Sequence, residues 1–212
     1  MERPKLMKTC NEELKHIHGI KNYTYITSKN IARAWNRTDF FGLIITGEQG
    51  IGKSTYAIKV MLELYNNAWR IVRDRIFFAL DELVEFLYKL HETNDRALCI
   101  LWDDAGVHGH KYLYYDDRKY VELLSGLADT VRTSVAGWLI TTPTHSNIVI
   151  SIRESPGFRI GQVRKFDSET TNRYIKVYKK YETPTWKYWR RVYIDKFTAH
   201  LPDEIYMEYI EM

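Results

Sequence analysis

Cysteine is nearly absent from this chain: Cys10 and Cys99 stand far apart, and Cys99 lies inside an apolar run. That scarcity excludes a disulfide framework and a thiolate metal site, and it points to a reducing compartment. Long apolar runs are missing as well. None approaches the roughly 20 residues that a membrane-spanning helix needs, and Met1-Glu2-Arg3-Pro4-Lys5 lacks the apolar segment of a signal peptide. The expectation is a soluble protein of the cytoplasm with no membrane partner. Internal repeats and low-complexity tracts are also lacking. What is present suffices for a core: 212 residues, 45% of them hydrophobic, fit one domain or one domain with a small appendage. The formal net charge is only +4, but the cations are unevenly distributed.

The densest chemical signal is Gly47-Glu48-Gln49-Gly50-Ile51-Gly52-Lys53-Ser54-Thr55, which completes the pattern Gly-x4-Gly-Lys-Ser/Thr directly after an apolar run at 40–45. Glycines let the backbone turn tightly, so that its N–H groups converge on phosphate oxygens. Lys53 supplies a point charge to the outer phosphates, and the Ser54 hydroxyl is suited to ligating Mg2+. Residues 55–69 read as a helix whose N-terminus faces the same anion. The expected ligands are therefore ATP and Mg2+.

Beyond this loop, apolar runs alternate with helical patterns, the signature of an α/β fold with a mostly parallel sheet flanked by helices. Strands are expected at 75–79, 97–102, 135–140 and 158–163. The helix between the first two carries Leu83, Val84, Leu87 and Leu90 at helical spacing behind a cap at Asp81. Further helices are expected at 119–132 and 147–153. With the strand before the loop, this makes a five-stranded core within 38–166, preceded by an N-terminal extension, 1–37, with helical pieces at 12–18 and 29–35.

Cys99-Ile100-Leu101-Trp102-Asp103-Asp104 is an apolar strand that ends in two carboxylates, and Asp103 comes 50 residues after Lys53. Phosphoryl transfer needs a metal to neutralise charge on the β and γ oxygens, and a strand-tip carboxylate beside the loop serves that purpose through the metal's water shell. Asp103 is the expected metal residue. Asp104 is then the candidate for orienting and polarising an attacking water.

Together the loop and the acidic strand resemble the core of a RecA-like or AAA+-like P-loop ATPase of the additional-strand class, over about three fifths of the chain. The resemblance implies hydrolysis of ATP, a strand between the loop strand and the acidic strand, and a polar sensor at its tip. Thr141 and Thr142 match that sensor, with Thr142 taken as the catalytic candidate. It also implies an arginine finger acting in trans within a homo-oligomer. Arg153 is the better match and Arg159 the second, with a plain surface arginine as the alternative. Two departures stand out. Asp104 occupies a place where related ATPases usually carry Glu, and nothing reads as the AAA+ helical lid. Size, richness in Tyr and Trp, and only two glutamines make the chain look like the short ATPases of archaeal viruses and plasmids.

The remaining 167–212 read as a small β-rich extension. Residues 159–200 hold eleven Lys or Arg against four Asp or Glu, whereas the last twelve residues hold four acids and no base. Period-two stretches at 174–181 and 186–194 flank Glu182-Thr183-Pro184-Thr185, which predicts a strand pair around a turn. Trp186, Lys187, Trp189, Arg190 and Arg191 interleave rings and cations, a composition suited to DNA through phosphate neutralisation and base stacking. The same pattern also suits an amphipathic strand with rings on a core and Lys in solvent. The final segment reads as a short helix with acids at its start and an apolar stripe for docking. His108 and His110 have no third ligand nearby and predict no further metal. The function expected is an Mg2+-dependent ATPase coupled to replication, segregation or packaging of DNA. A nucleotide or small-molecule kinase, or a slow nucleotide-dependent switch, is the alternative.

Overall fold

The computed structural model describes residues 22–105, 126, 131–167 and 170–212. The helix expected at 12–18, nearly all of that expected at 119–132, Cys10, His108 and His110 lie outside these residues. In chain order come α1 (Ile26–Asn36), β1 (Phe41–Thr46), α2 (Lys53–Leu64), α3 (Trp69–Arg73), β2 (Ile76–Phe77), α4 (Leu80–Glu92), β3 (Ala97–Trp102) and β4 (Val135–Thr142). A 3-10 turn (His145–Asn147), α5 (Ile150–Arg153), β5 (Phe158–Lys165), β6 (Asn172–Glu182), β7 (Lys187–Thr198) and α6 (Asp203–Ile210) follow.

The strands form one sheet in the order β2-β3-β4-β1-β5-β6-β7. The first five run parallel and the last two antiparallel. The sheet therefore has seven strands, not the five expected. Backbone groups along β5 would otherwise be left at an edge, and β6 satisfies them from Ile160 to Lys165. Two buried side chains, Ile175 and Val177, continue the core across that pairing.

Both faces of the parallel strands are covered, so alternate residues enter two different cores. Leu43, Ile45, Cys99, Leu101 and Leu139 pack beneath α1 and α2, with Ile31, Ile58, Met61 and Leu64. Ile44, Ile100, Trp102, Trp138 and Ile140 pack on the other face with Leu83, Leu87 and Leu90 of α4. The α1 helix approaches β4 so closely that a Cβ on Gly137 would sit 2.6 Å from Ile31 Cγ2, so only glycine fits there.

Some expectations are corrected at element ends. The segment after the loop is two helices rather than one, because Asn66 and Asn67 take left-handed φ of 52° and 61° and stop α2. The residue before α4 is Ala79, so Asp81 lies in the first turn, where it complements the helix dipole instead of capping. β4 runs on through Thr141 and Thr142. Among the described residues no helix is long and apolar enough to cross a membrane.

Candidate functional site

Parallel strands that share a direction bring their carboxyl ends to one edge, and the loop follows the end of β1 there. Ile51 is buried and anchors this loop, whereas Glu48, Gln49 and Gly50 are exposed. Gly50 and Gly52 have φ of 71° and 100°, a conformation that side-chain-bearing residues rarely adopt. Gly52 is also the residue that opens α2, so the helix starts at Lys53 with its first N–H groups facing the loop. Lys53 Nζ donates to the carbonyl oxygens of Gly47 (3.1 Å) and Glu48 (3.0 Å), folding over the loop's mouth. Burial lowers the pKa of this ammonium, opposed by the charges of Asp104 and then Asp103. Thr55 follows, half-buried, in the first turn.

β3 delivers Asp103, only 1% exposed, to the same edge. A buried carboxylate needs donors, and three hydroxyls supply them. Ser54 Oγ donates to Oδ1 at 2.9 Å, Thr141 Oγ1 donates to the same oxygen, and the Tyr209 hydroxyl donates to Oδ2. Asp104 is exposed, sits at a left-handed φ of 50°, and donates its backbone N–H to Thr141 Oγ1 at 2.8 Å. Thr141 thus holds both acids in place.

The pleat decides between the two threonines, since successive side chains point to opposite faces. Thr141 reaches the acids, whereas the fully buried Thr142 donates to Thr144 O at 3.1 Å. Arg153 closes α5, with Nη2 4.0 Å from Glu154 Oε1. Arg159 is committed inside the chain: its guanidinium lies 4.2 Å from the Phe41 ring centroid and donates to Gly157 O at 3.1 Å, and burial lowers its pKa.

The basic aromatic residues form the tip of the β6–β7 hairpin, and Trp186 is 74% exposed, Trp189 44%. Cross-strand register divides the set. Lys187, Trp189 and Arg191 pair with Glu182, Lys180 and Tyr178, while Arg190 pairs with Lys179 on the other face, beside the stacked rings of Tyr181 and Tyr188. Lys187 Nζ is 2.7 Å from Glu182 Oε1, and Lys180 Nζ is 3.0 Å from Glu154 Oε2.

Sequence reasoning missed Tyr209. It lies 106 residues from Asp103, in a segment whose pattern signalled only an apolar stripe. Burial pushes its hydroxyl pKa up, and the charge of Asp103 pushes it further, so it remains a donor. Also missed was the buried Asp195 of β7. It accepts the N–H groups of Ile26 (2.8 Å) and Thr27 (3.1 Å) and the hydroxyl of Tyr56 (2.7 Å), tying α1, α2 and β7 together next to the loop.

No known family's sequence profile matches the chain. Protein B-251 of Sulfolobus spindle-shape virus 1 is 32% identical to it over 202 residues, which cover 85% of this chain and 76% of that protein. ORF286 of Acidianus two-tailed virus is 26% identical over 135 residues, covering 63% of this chain and 47% of that protein. Both relatives are encoded by archaeal viruses.

Proposed function

We propose that this chain, which belongs to the family of protein B-251 of Sulfolobus spindle-shape virus 1, is an Mg2+-dependent ATP-binding protein and ATPase of the P-loop class that couples hydrolysis to work on DNA. The observation that carries this reading is the 2.9 Å hydrogen bond between Ser54 and Asp103. It joins the first turn after the phosphate-type loop to the tip of the acidic strand, residues 49 apart in sequence. The position of β4 between β1 and β3 supports the same reading, because it sets Thr141 between loop and acids.

A hydroxyl and a carboxylate are hard oxygen donors, and Mg2+ typically takes one or two such protein ligands together with nucleotide phosphates, so Ser54 and Asp103 fit it. Bound there, Mg2+ would supply charge neutralisation at the β and γ phosphates. The chain's own residues do the rest. Backbone N–H groups of the loop and of α2 hold phosphate oxygens, Lys53 exchanges its two carbonyl partners for the outer phosphates, and exposed Asp104 orients water. Arg153 is the arginine left to act in trans in a homo-oligomer, Arg159 being engaged within its own chain.

The DNA part of the proposal is supported by the hairpin's exposed rings and cations. Phosphate release from ATP, measured with Mg2+ and with or without single- or double-stranded DNA, tests both parts. Stimulated release is the expected result. Transfer to an added acceptor without release would favour the kinase alternative, and absence of nucleotide binding would end the reading.

A further inference from the structure

The C-terminal helix is seated on the site rather than beside it. The end of β7 runs along the loop, where Ala199 Cβ and Phe197 Cε2 would lie 3.4 and 3.5 Å from a Cβ on Gly52, and Lys59 Nζ donates to Thr198 Oγ1 at 2.7 Å. Buried Leu201 then turns the chain into α6. From α6, Tyr209 puts its hydroxyl on Asp103 Oδ2, its ring 6.1 Å from that of Phe78. One turn's face away from solvent is thereby fixed at the acid, and Glu208 secures the outside by accepting from Trp69 Nε1 (2.9 Å) and Arg73 Nη1 (3.1 Å).

We propose that α6 is a latch: the Tyr209 hydroxyl occupies the Asp103 oxygen that a nucleotide-bound divalent cation needs, and binding of the Mg2+–nucleotide complex displaces the helix. This rests on the nucleotide reading above. A latch must be seated yet easily lifted, and α6 meets both needs. Its eight residues are too few to be stable as an isolated helix, none of them is fully buried, and its Arg73–Glu208 pair is solvent-exposed on both sides and therefore weak. Tyr206, Met207 and Ile210 are exposed even in the seated state, so of the helix's apolar side chains lifting uncovers Ile205 and Tyr209, both only partly buried against the core.

The test compares the full-length chain with Tyr209→Phe, which keeps the ring and removes the hydroxyl. Binding of the non-hydrolysable ATP analogue AMP-PNP is measured by calorimetry with Mg2+ and again with EDTA, alongside hydrogen–deuterium exchange of 203–212. With Mg2+ the variant should bind about tenfold tighter, the effect of losing one competing hydrogen bond to a charged group. With EDTA the two should bind alike, and in the wild-type chain exchange at 203–212 should rise when Mg2+ and AMP-PNP are added. Should Tyr209→Phe lower the melting temperature by more than a few degrees, Glu208→Gln carries the comparison, with a smaller gain in the same direction. Equal affinities with Mg2+ and unchanged exchange would overturn the latch while leaving nucleotide binding intact. No binding by wild type or variant would overturn both.

Discussion

The two ends of the sheet use the same residue type in opposite ways. On the parallel side, Trp102 and Trp138 stack with ring centroids 6.4 Å apart and are 1% and 0% exposed. On the antiparallel side, Trp186 and Trp189 stand in solvent. The difference is one of layers. The central strands β1, β3 and β4 are buried along their whole length, so every side chain there is positioned by packing, and the loop and acids at their tips inherit that rigidity. Among the described residues no layer covers the hairpin tip, so its side chains are available for contact but held by little beyond cross-strand pairs.

The comparison can be broken most sharply at the tryptophans. Trp138→Ala should cost about 3–5 kcal/mol and lower the melting temperature by many degrees, whereas Trp186→Ala should stay within about 0.5 kcal/mol in a thermal unfolding experiment. Comparable losses at both sites would mean the hairpin is packed after all. Next in size is the rigid edge itself. Lys53→Ala should lower phosphate release by on the order of 10²–10³-fold without moving the melting temperature much, the scale of removing one preorganised charge-stabilising donor. Asp104→Asn should keep nucleotide binding, read by calorimetry, and lose turnover.

On the hairpin side, Trp189→Ala should weaken single-stranded DNA binding by about 1–3 kcal/mol if the ring stacks on a base. The register sharpens this further. Lys187→Ala with Arg191→Ala, on the Trp189 face, should flatten the salt dependence by up to about 0.9 log units per lost duplex phosphate contact, and Arg190→Ala, on the opposite face, should change it separately. Equal effects from both faces would argue that the duplex does not lie on one side of the hairpin.

The smallest effect concerns the seam between α1, α2 and β7. Tyr56 and Tyr193 both hydrogen-bond Thr27 Oγ1, at 2.6 and 2.8 Å, and burial raises both hydroxyl pKa values. A raised folded-state value means that the unfolded chain loses its protons first as pH rises. Stability is then intact below the ordinary tyrosine value of about 10 and declines above it. Denaturant midpoints that stay flat from pH 9 to 11 would contradict this.

Much of the parallel side could be read in one dimension. Strands at 97–102 and 158–163, the loop at 47–55 and the acids after Trp102 follow from apolar runs, glycine spacing and residue type, all of which are local. The hairpin was legible too, from its period of two and the turn at Pro184. What the hairpin paired with was not, because an antiparallel strand pair carries no mark of whether it stands alone or extends a neighbouring sheet.

Within the site, local pattern determined that Ser54, Lys53, Asp103 and two threonines were present, and packing decided which of them meet. A shift of one residue turns a strand's side chains to the other face, so Thr141 rather than Thr142 touches the acids only because β4 pairs with β1 and β3 in its observed register. Asp195 reaches the start of α1 across 168 and 169 residues, and Tyr209 reaches Asp103 across 106. Contacts of that separation are fixed by the arrival of whole elements, which no pattern within either segment records: the amino acids determined the loop and its acids, and the tertiary structure decided that a tyrosine from the chain's end would sit on them.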